Sequence, residues 1–204
     1  AASFFMIGGG AGIALCVVLF IVDCFVLGGF AVIRPNEAMV LTLFGKYSGT
    51  IKGEGSYWYN PFCSPVRYGK SSKISLKAMT LESGQQKIND ELGNPVMIGI
   101  VVIWRVTNTA KAVFDVDDYE DYLATQSDAA LRSIVRQYPY DGFNNDAEKS
   151  LQGSSQEVAD RLKEEIQSKV HIAGLEILEA RITHLAYAPE IASAMLQRQQ
   201  AAAI

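Results

Sequence analysis

The chain has 204 residues, with 18 basic and 22 acidic side chains and a formal net charge of −4. This mild balance, without clustered Lys and Arg, excludes the electrostatic footprint of a nucleic-acid-binding protein. Of the three cysteines, Cys16 and Cys24 lie in an apolar N-terminal segment. Only Cys63 remains in the rest of the chain, which therefore forms no internal disulfide and fits a reducing compartment.

The segment 1–33 contains a single charged side chain, Asp23. A helix needs about 20 apolar residues to cross a membrane, whereas a secretory signal has a basic start and a shorter apolar core. We therefore predict a transmembrane helix over about Phe4–Leu27 that breaks at Gly28 and Gly29, because glycine weakens a helix. Asp23 would reach the headgroups or make a polar contact with a neighbouring copy or client. The basic residues that follow favour a cytoplasmic soluble domain by the positive-inside rule: Arg34, Lys46 and Lys52.

Strand-like patterns follow this anchor. Met39–Phe44 is rich in β-compatible residues, and Ile74–Ala78 alternates apolar with polar residues, as a strand with one wet face does. Gln85–Asp90 and Val96–Val106 flank turn residues and predict a hairpin. The second arm is almost continuously apolar, which predicts a central strand buried on both faces. We expect antiparallel strands from about Val32 to Val106.

The hydrophobic period then changes from two to about 3.6, the period of an amphipathic helix. The pattern predicts one helix over Asp117–Tyr138 and a second over Val158–Val170. A strand follows from Leu175, and its apolar phase reverses near Leu178 or Glu179, which predicts a bulge there. The predicted class is therefore α+β, an antiparallel sheet with packed helices.

Pro189 opens a third predicted helix, because proline is favourable at the first helical position. Its apolar stripe is too narrow to be buried in its own domain, and its four-residue spacing suits a helix–helix seam. The pattern is still running at Ile204, so we expect a longer parent protein. The stripe is predicted to line an assembly of copies through Ile191, Met195, Arg198 or Gln199, and Ala202.

No catalytic, cofactor-binding or metal-binding site is predicted. His171 and His184 lack the spacing of metal ligands, and Cys63 lacks a neighbouring base. Glu176 and Glu179 are expected to form cross-strand ion pairs. A run of acidic residues precedes and begins the next predicted helix: Asp115, Asp117, Asp118, Glu120 and Asp121. We expect these residues to stabilise the helix start through the helix dipole, an interpretation preferred to a calcium site.

Four aromatic residues crowd a turn-rich stretch shortly after the anchor: Tyr57, Trp58, Tyr59 and Phe62. Aromatic side chains favour the membrane–water interface, where an apolar ring and a polar edge are both satisfied. We predict that this stretch dips into the headgroups. The alternative is that Trp58 and Phe62 fill the core of the domain.

In this order, the segments resemble the stomatin/prohibitin/flotillin superfamily, whose shared unit is the SPFH or band 7 domain, and look closest to its bacterial stomatin-like members. The resemblance is carried by Arg34–Phe62, Val102–Asp141 and Gly174–Ala201, and it covers the whole chain after the anchor. In this family the third stretch joins the domain to a long coiled-coil helix. The resemblance implies large homo-oligomeric rings or cages on a membrane, and several members accompany membrane proteases or ion channels.

We therefore expect a membrane anchor over 1–33, an SPFH domain over 34–188, and the start of an oligomerisation helix over 189–204. The leading hypothesis is a non-enzymatic scaffold that organises a membrane patch and its proteins, with lipids and further copies of the chain as partners. The alternative is a regulatory subunit dedicated to one membrane protease or channel. A membrane-bound hydrolase using Cys63 or a serine is the third hypothesis, although no base supports it.

Overall fold

The computed structural model describes residues 2–140 and 150–194, with side chains from Gly12 onward. The backbone forms two compact units, Ala1–Ser75 and Leu76–Ile204. Within the described residues, the fold is a mixture of helices and antiparallel sheets. The predicted α+β class is thereby confirmed. The predicted domain boundaries, after Ile33 and after Ala188, remain predictions.

The first unit begins with helix α1, Ala2–Leu27. The helix ends where glycine was expected to break it: Gly28 N donates to Cys24 O at 3.0 Å, and the chain then turns into a strand. Large apolar side chains of α1 are exposed from Ile13 to Leu27. Among the residues that the structure describes, no helix is both long enough and apolar enough to cross a membrane. The predicted transmembrane helix is therefore not supported.

The rest of the first unit consists of short strands: β1 Phe30–Ile33, β2 Glu37–Leu43, β3 Lys46–Lys52, β4 Gly55–Trp58, β5 Cys63–Pro65 and β6 Ile74–Ser75. Strand β1 pairs antiparallel with β4, while β2 is paired by β3, β5 and β6. A small core forms where alternate side chains of these strands turn inward: Ile33, Met39, Leu41 and Cys63.

The second unit contains one three-stranded antiparallel sheet in the order β7-β8-β9, with β7 Met79–Asn89, β8 Pro95–Val106 and β9 Leu175–Tyr187. Its helices are α2 Thr109–Phe114, α3 Tyr119–Val135 and α4 Ser155–Val170, followed by a 3-10 turn over His171–Ala173. The predicted hairpin and both predicted long helices are confirmed. Helix α2 escaped prediction because six residues are too few to display a hydrophobic period.

Strand β8 is central in the sheet, as its apolar sequence predicts. Its side chains nevertheless alternate in burial: Ile98, Ile100 and Val102 are fully buried, whereas Met97 and Val101 are only half-buried. Because of this alternation, the prediction of burial on both faces was wrong for one face of β8. On the buried face, each large apolar side chain stabilises the fold by about 1.5–3 kcal/mol.

Strand β9 carries the predicted bulge. The register of β9 against β8 shifts between Ile103 and Trp104, which pair with Glu179 and Ile177 and leave Leu178 between them. The edge of β9 beside this bulge is covered by Gln167 of α4. The Gln167 amide accepts from Ile177 N at 2.7 Å and donates to Leu175 O at 3.1 Å.

Helical backbone resumes over 189–194, directly after β9. Of the predicted oligomerisation stripe, Ile191 is half-buried, and its N–H donates to Ala188 O at 3.0 Å. The other predicted stripe residues, Met195, Arg198, Gln199 and Ala202, lie outside the described residues.

Candidate functional site

The end of α1 makes hydrogen bonds with Trp58 and Tyr59, at the end of strand β4, and this close approach requires glycine at position 29. Tyr59 N donates to Gly29 O at 2.9 Å, and the indole Nε1 of Trp58 donates to Val26 O at 2.9 Å. A Cβ at Gly29 would lie 2.3 Å from Tyr59 O. The last carbonyls of a helix lack the usual partner four residues later. Val26 O accepts instead from Gly29 N at 3.3 Å and from the Trp58 indole.

The four predicted interface residues divide between two environments. Tyr57 and Tyr59 are half-buried and pack against the small core of the first unit. Trp58 and Phe62 are 53% and 58% exposed. Tyr57 and Trp58 are neighbours in β4 and point to opposite faces, as neighbouring side chains of a strand do. Phe62 lies outside the strands, directly before β5. Trp58 and Phe62 thus do not fill the core of this unit.

Two further aromatic residues join the exposed pair. The Phe62 ring centroid lies 5.3 Å from that of Phe25, in the last turns of α1, and 6.4 Å from that of Phe44. Phe44 is 85% exposed. We call Phe25, Phe44, Trp58 and Phe62 the aromatic surface. Sequence reasoning missed Phe25 and Phe44 because the chain separates them widely from Phe62.

The turn that carries Phe44 is strained. Phe44 has φ +48° and Gly45 has φ +82°, so both residues of the two-residue β2–β3 connection are left-handed, the pattern of a type I′ turn. Asparagine and glycine are favoured there, whereas a bulky residue with positive φ is an outlier. Strain of this kind is a reason to look for a function.

One residue of the acidic run, Asp118, caps the start of α3 with its side chain. Asp118 Oδ1 accepts from Glu120 N at 2.9 Å and from Asp121 N at 3.1 Å, as an N-cap residue does. The run borders an open cleft of about 580 Å³ together with Phe114. Among the described residues, no group of three or more His, Cys, Asp or Glu side chains is arranged to hold a metal ion.

The other residues considered for chemistry have structural environments. Cys63 is buried, and its Sγ lies 3.9 Å from Ser48 Oγ. Glu176 forms the expected cross-strand ion pair, 2.7 Å from Arg105 Nε. Glu179 instead pairs with Arg181 of its own strand, so the cross-strand expectation was wrong for this residue.

Comparison with known proteins identifies the family. The model of the SPFH domain / Band 7 family matches residues 31–204. Over 121 residues the chain is 31% identical to the modulator of FtsH protease HflK of Escherichia coli (strain K12), covering 59% of this chain and 27% of that protein.

Two further relatives extend this comparison. The chain is 31% identical over 118 residues to the protein HflK of Buchnera aphidicola, covering 58% of this chain and 27% of that protein. An uncharacterized protein of Archaeoglobus fulgidus is 26% identical over 131 residues, which cover 64% of this chain and 50% of that protein. The chain thus spans about a quarter of the length of the HflK relatives it matches. The matches confirm the resemblance read from the sequence, and the chain belongs to the SPFH domain / Band 7 family.

Proposed function

We propose that this chain is a non-enzymatic, membrane-associated modulator of a membrane protease. The observation that carries the proposal is the similarity to HflK, which is named as a modulator of FtsH protease. The general scaffold hypothesis is retained in a narrower form, in which an assembly of copies surrounds or contacts the protease. No nucleic-acid partner and no catalytic residue are part of this proposal.

Membrane contact is proposed for the first unit. The apolar side chains of α1 that are exposed from Ile13 to Leu27 would contact the membrane surface, and the aromatic surface would lie at the headgroups. Trp58 supports this arrangement because its indole is held against Val26 O while part of its ring remains exposed. The cytoplasmic location of the soluble part stays a prediction from its basic residues.

The protease proposal is tested by reconstituting the chain in liposomes with a purified protease of the FtsH kind. We expect co-purification from the dissolved liposomes and a changed rate of degradation of a membrane substrate. The matched control is the same liposomes containing the protease without the chain. Unchanged degradation rates together with the absence of co-purification would exclude the modulator role.

Membrane contact is tested separately by quenching of tryptophan fluorescence with brominated lipid. The chain has two tryptophans, and Trp104 is buried in the second unit. We expect strong quenching in the full chain and little in Trp58→Phe, which retains only Trp104. Equal quenching in both proteins would refute contact through Trp58.

Assembly through the helix that begins at Pro189 remains a proposal. Charged residues at both Ile191 and Met195 should reduce the particle mass measured in detergent, because they place charge in the proposed helix–helix seam. The control is Ser193→Glu, since Ser193 is exposed. An unchanged mass for the double variant would contradict the seam.

A further inference from the structure

The first turn of the helix that follows β9 is joined to the sheet without a linker. Ala188 is fully buried, and its N–H donates to Pro95 O at 2.9 Å. The Ala188 carbonyl in turn accepts from Ile191 N at 3.0 Å and from Ala192 N at 3.2 Å. One residue therefore ends the sheet and begins the helix. The next residue is Pro189, whose ring restricts φ to about −65°, so few directions remain open to the helix.

An ion pair attaches this first turn to the neighbouring hairpin. Lys87 Nζ of β7 lies 2.7 Å from Glu190 Oε1. A carboxylate in the first turn of a helix is also stabilised by the helix dipole. The hydrogen bond from Lys87 lowers the pKa of Glu190, so the carboxylate is ionised at neutral pH. Lys87 and Glu190 are separated by 103 positions in the sequence, and only the fold brings them together.

The hairpin itself is held by a buried carboxylate. Asp90 is 4% exposed and accepts from Asn94 N at 2.7 Å and from Asn94 Nδ2 at 3.2 Å. Its other contact is with the segment after α3, since Tyr140 N donates to Asp90 Oδ2 at 3.1 Å. The Tyr140 ring centroid lies 4.0 Å from that of Tyr187, the last residue of β9. The contacts thus lead from the hairpin turn back to the residue before Ala188.

We propose that these contacts form a joint, made of Lys87, Asp90, Tyr140, Tyr187 and Glu190, through which the folded unit sets the direction of the helix that begins at Pro189. The absence of a linker limits the possible directions, and the ion pair holds the first turn in one of them. The consequence of the joint rests on the proposed assembly. In a set of copies whose helices pack side by side, the angle of helix departure determines how many copies close a ring.

The joint is tested in the full chain in detergent by hydrogen exchange at the amides of Ile191 and Ala192. The variants are Lys87→Glu, Glu190→Lys and the double charge swap. We expect each single variant to raise the exchange rate about 1.5- to fivefold, the range for an exposed ion pair. The double swap should restore at least half of the lost protection on a logarithmic scale. The control is Arg161→Glu, which breaks a similarly exposed pair with Glu157 inside α4.

Two results would overturn the joint. One is exchange at Ile191 and Ala192 that is unchanged in both single variants, and the other is an equal rise in Arg161→Glu. Particle mass, measured on the same samples, addresses the assembly independently. If the wild-type chain forms no large particle, the proposed assembly fails while the exchange data still decide the joint. If the single variants alter the mass distribution and the double swap restores it, the joint also governs assembly.

Discussion

Replacing Phe44 by asparagine should stabilise the fold and weaken membrane binding at the same time. Phe44 and Gly45 both have positive φ, at +48° and +82°, in a connection that favours Asn-Gly. A residue with a Cβ loses roughly 1–2 kcal/mol in the left-handed region, and asparagine tolerates that region better. The phenyl ring contributes little to packing, because it is 85% exposed and its centroid lies 6.4 Å from that of Phe62. We expect the free energy of unfolding to rise by about 1 kcal/mol.

The effect on membrane binding has the opposite sign. Burial of a phenylalanine side chain is worth about 1.5–3 kcal/mol when complete, and contact at the headgroups is incomplete. We expect Phe44→Asn to lose about 1 kcal/mol of binding, a roughly fivefold weaker partition into liposomes. The measurement is co-sedimentation of the full chain at limiting lipid, alongside denaturant unfolding in detergent.

Leu92→Asn provides the matched control for both measurements. Leu92 is also an exposed apolar residue, but it belongs to the β7–β8 turn of the second unit and does not have a positive φ. Its replacement should relieve no backbone strain, and it should leave liposome binding unchanged. A destabilised Phe44→Asn would refute the strain argument. An equal loss of liposome binding in both variants would refute the role of the aromatic surface.

Three further predictions concern the core, the end of α1 and the joint. Ser127 of α3 is fully buried, and its Oγ has no hydrogen-bond partner, so Ser127→Ala should raise the free energy of unfolding by about 1–2 kcal/mol. The control, Ser133→Ala at an exposed position of α3, should raise it less. An equal gain in both variants would contradict the claim that the buried hydroxyl destabilises the fold. Gly29→Ala should lower the free energy of unfolding by about 1–3 kcal/mol because the new Cβ meets Tyr59 O. The control, Gly28→Ala, should lower it less. An unchanged free energy of unfolding in Gly29→Ala would show that the backbone moves aside without cost. The hydrogen bond from Lys87 lowers the pKa of Glu190, so the pair's contribution to stability is complete above the ordinary carboxyl pKa and is lost as pH falls through the lowered folded-state value. Exchange at Ile191, corrected for its intrinsic rate, should therefore stay constant from about pH 7 to about pH 5 and rise below. The same pH profile in Lys87→Met would contradict this assignment.

Much of the secondary structure follows from short-range patterns along the chain. The end of α1 at Gly28, the helices α3 and α4, the central strand β8 and the bulge at Leu178 were all predictable. Each depends on a periodicity or a backbone preference that acts within a few residues. The family was accessible through the resemblance carried by Arg34–Phe62, Val102–Asp141 and Gly174–Ala201, and the family model matches residues 31–204.

Only the tertiary structure decided which of these residues meet. It separated Tyr57 and Tyr59 from Trp58 and Phe62, and it brought Phe25 and Phe44 to the exposed pair. It buried the side chains on one face of β8 fully and those on the other face only in part. It also placed Lys87 against Glu190. These outcomes depend on strand pairing and packing between segments far apart in sequence. Local periodicity predicts which side of an element is apolar, whereas the partner that covers this side, or leaves it exposed, is determined by the fold.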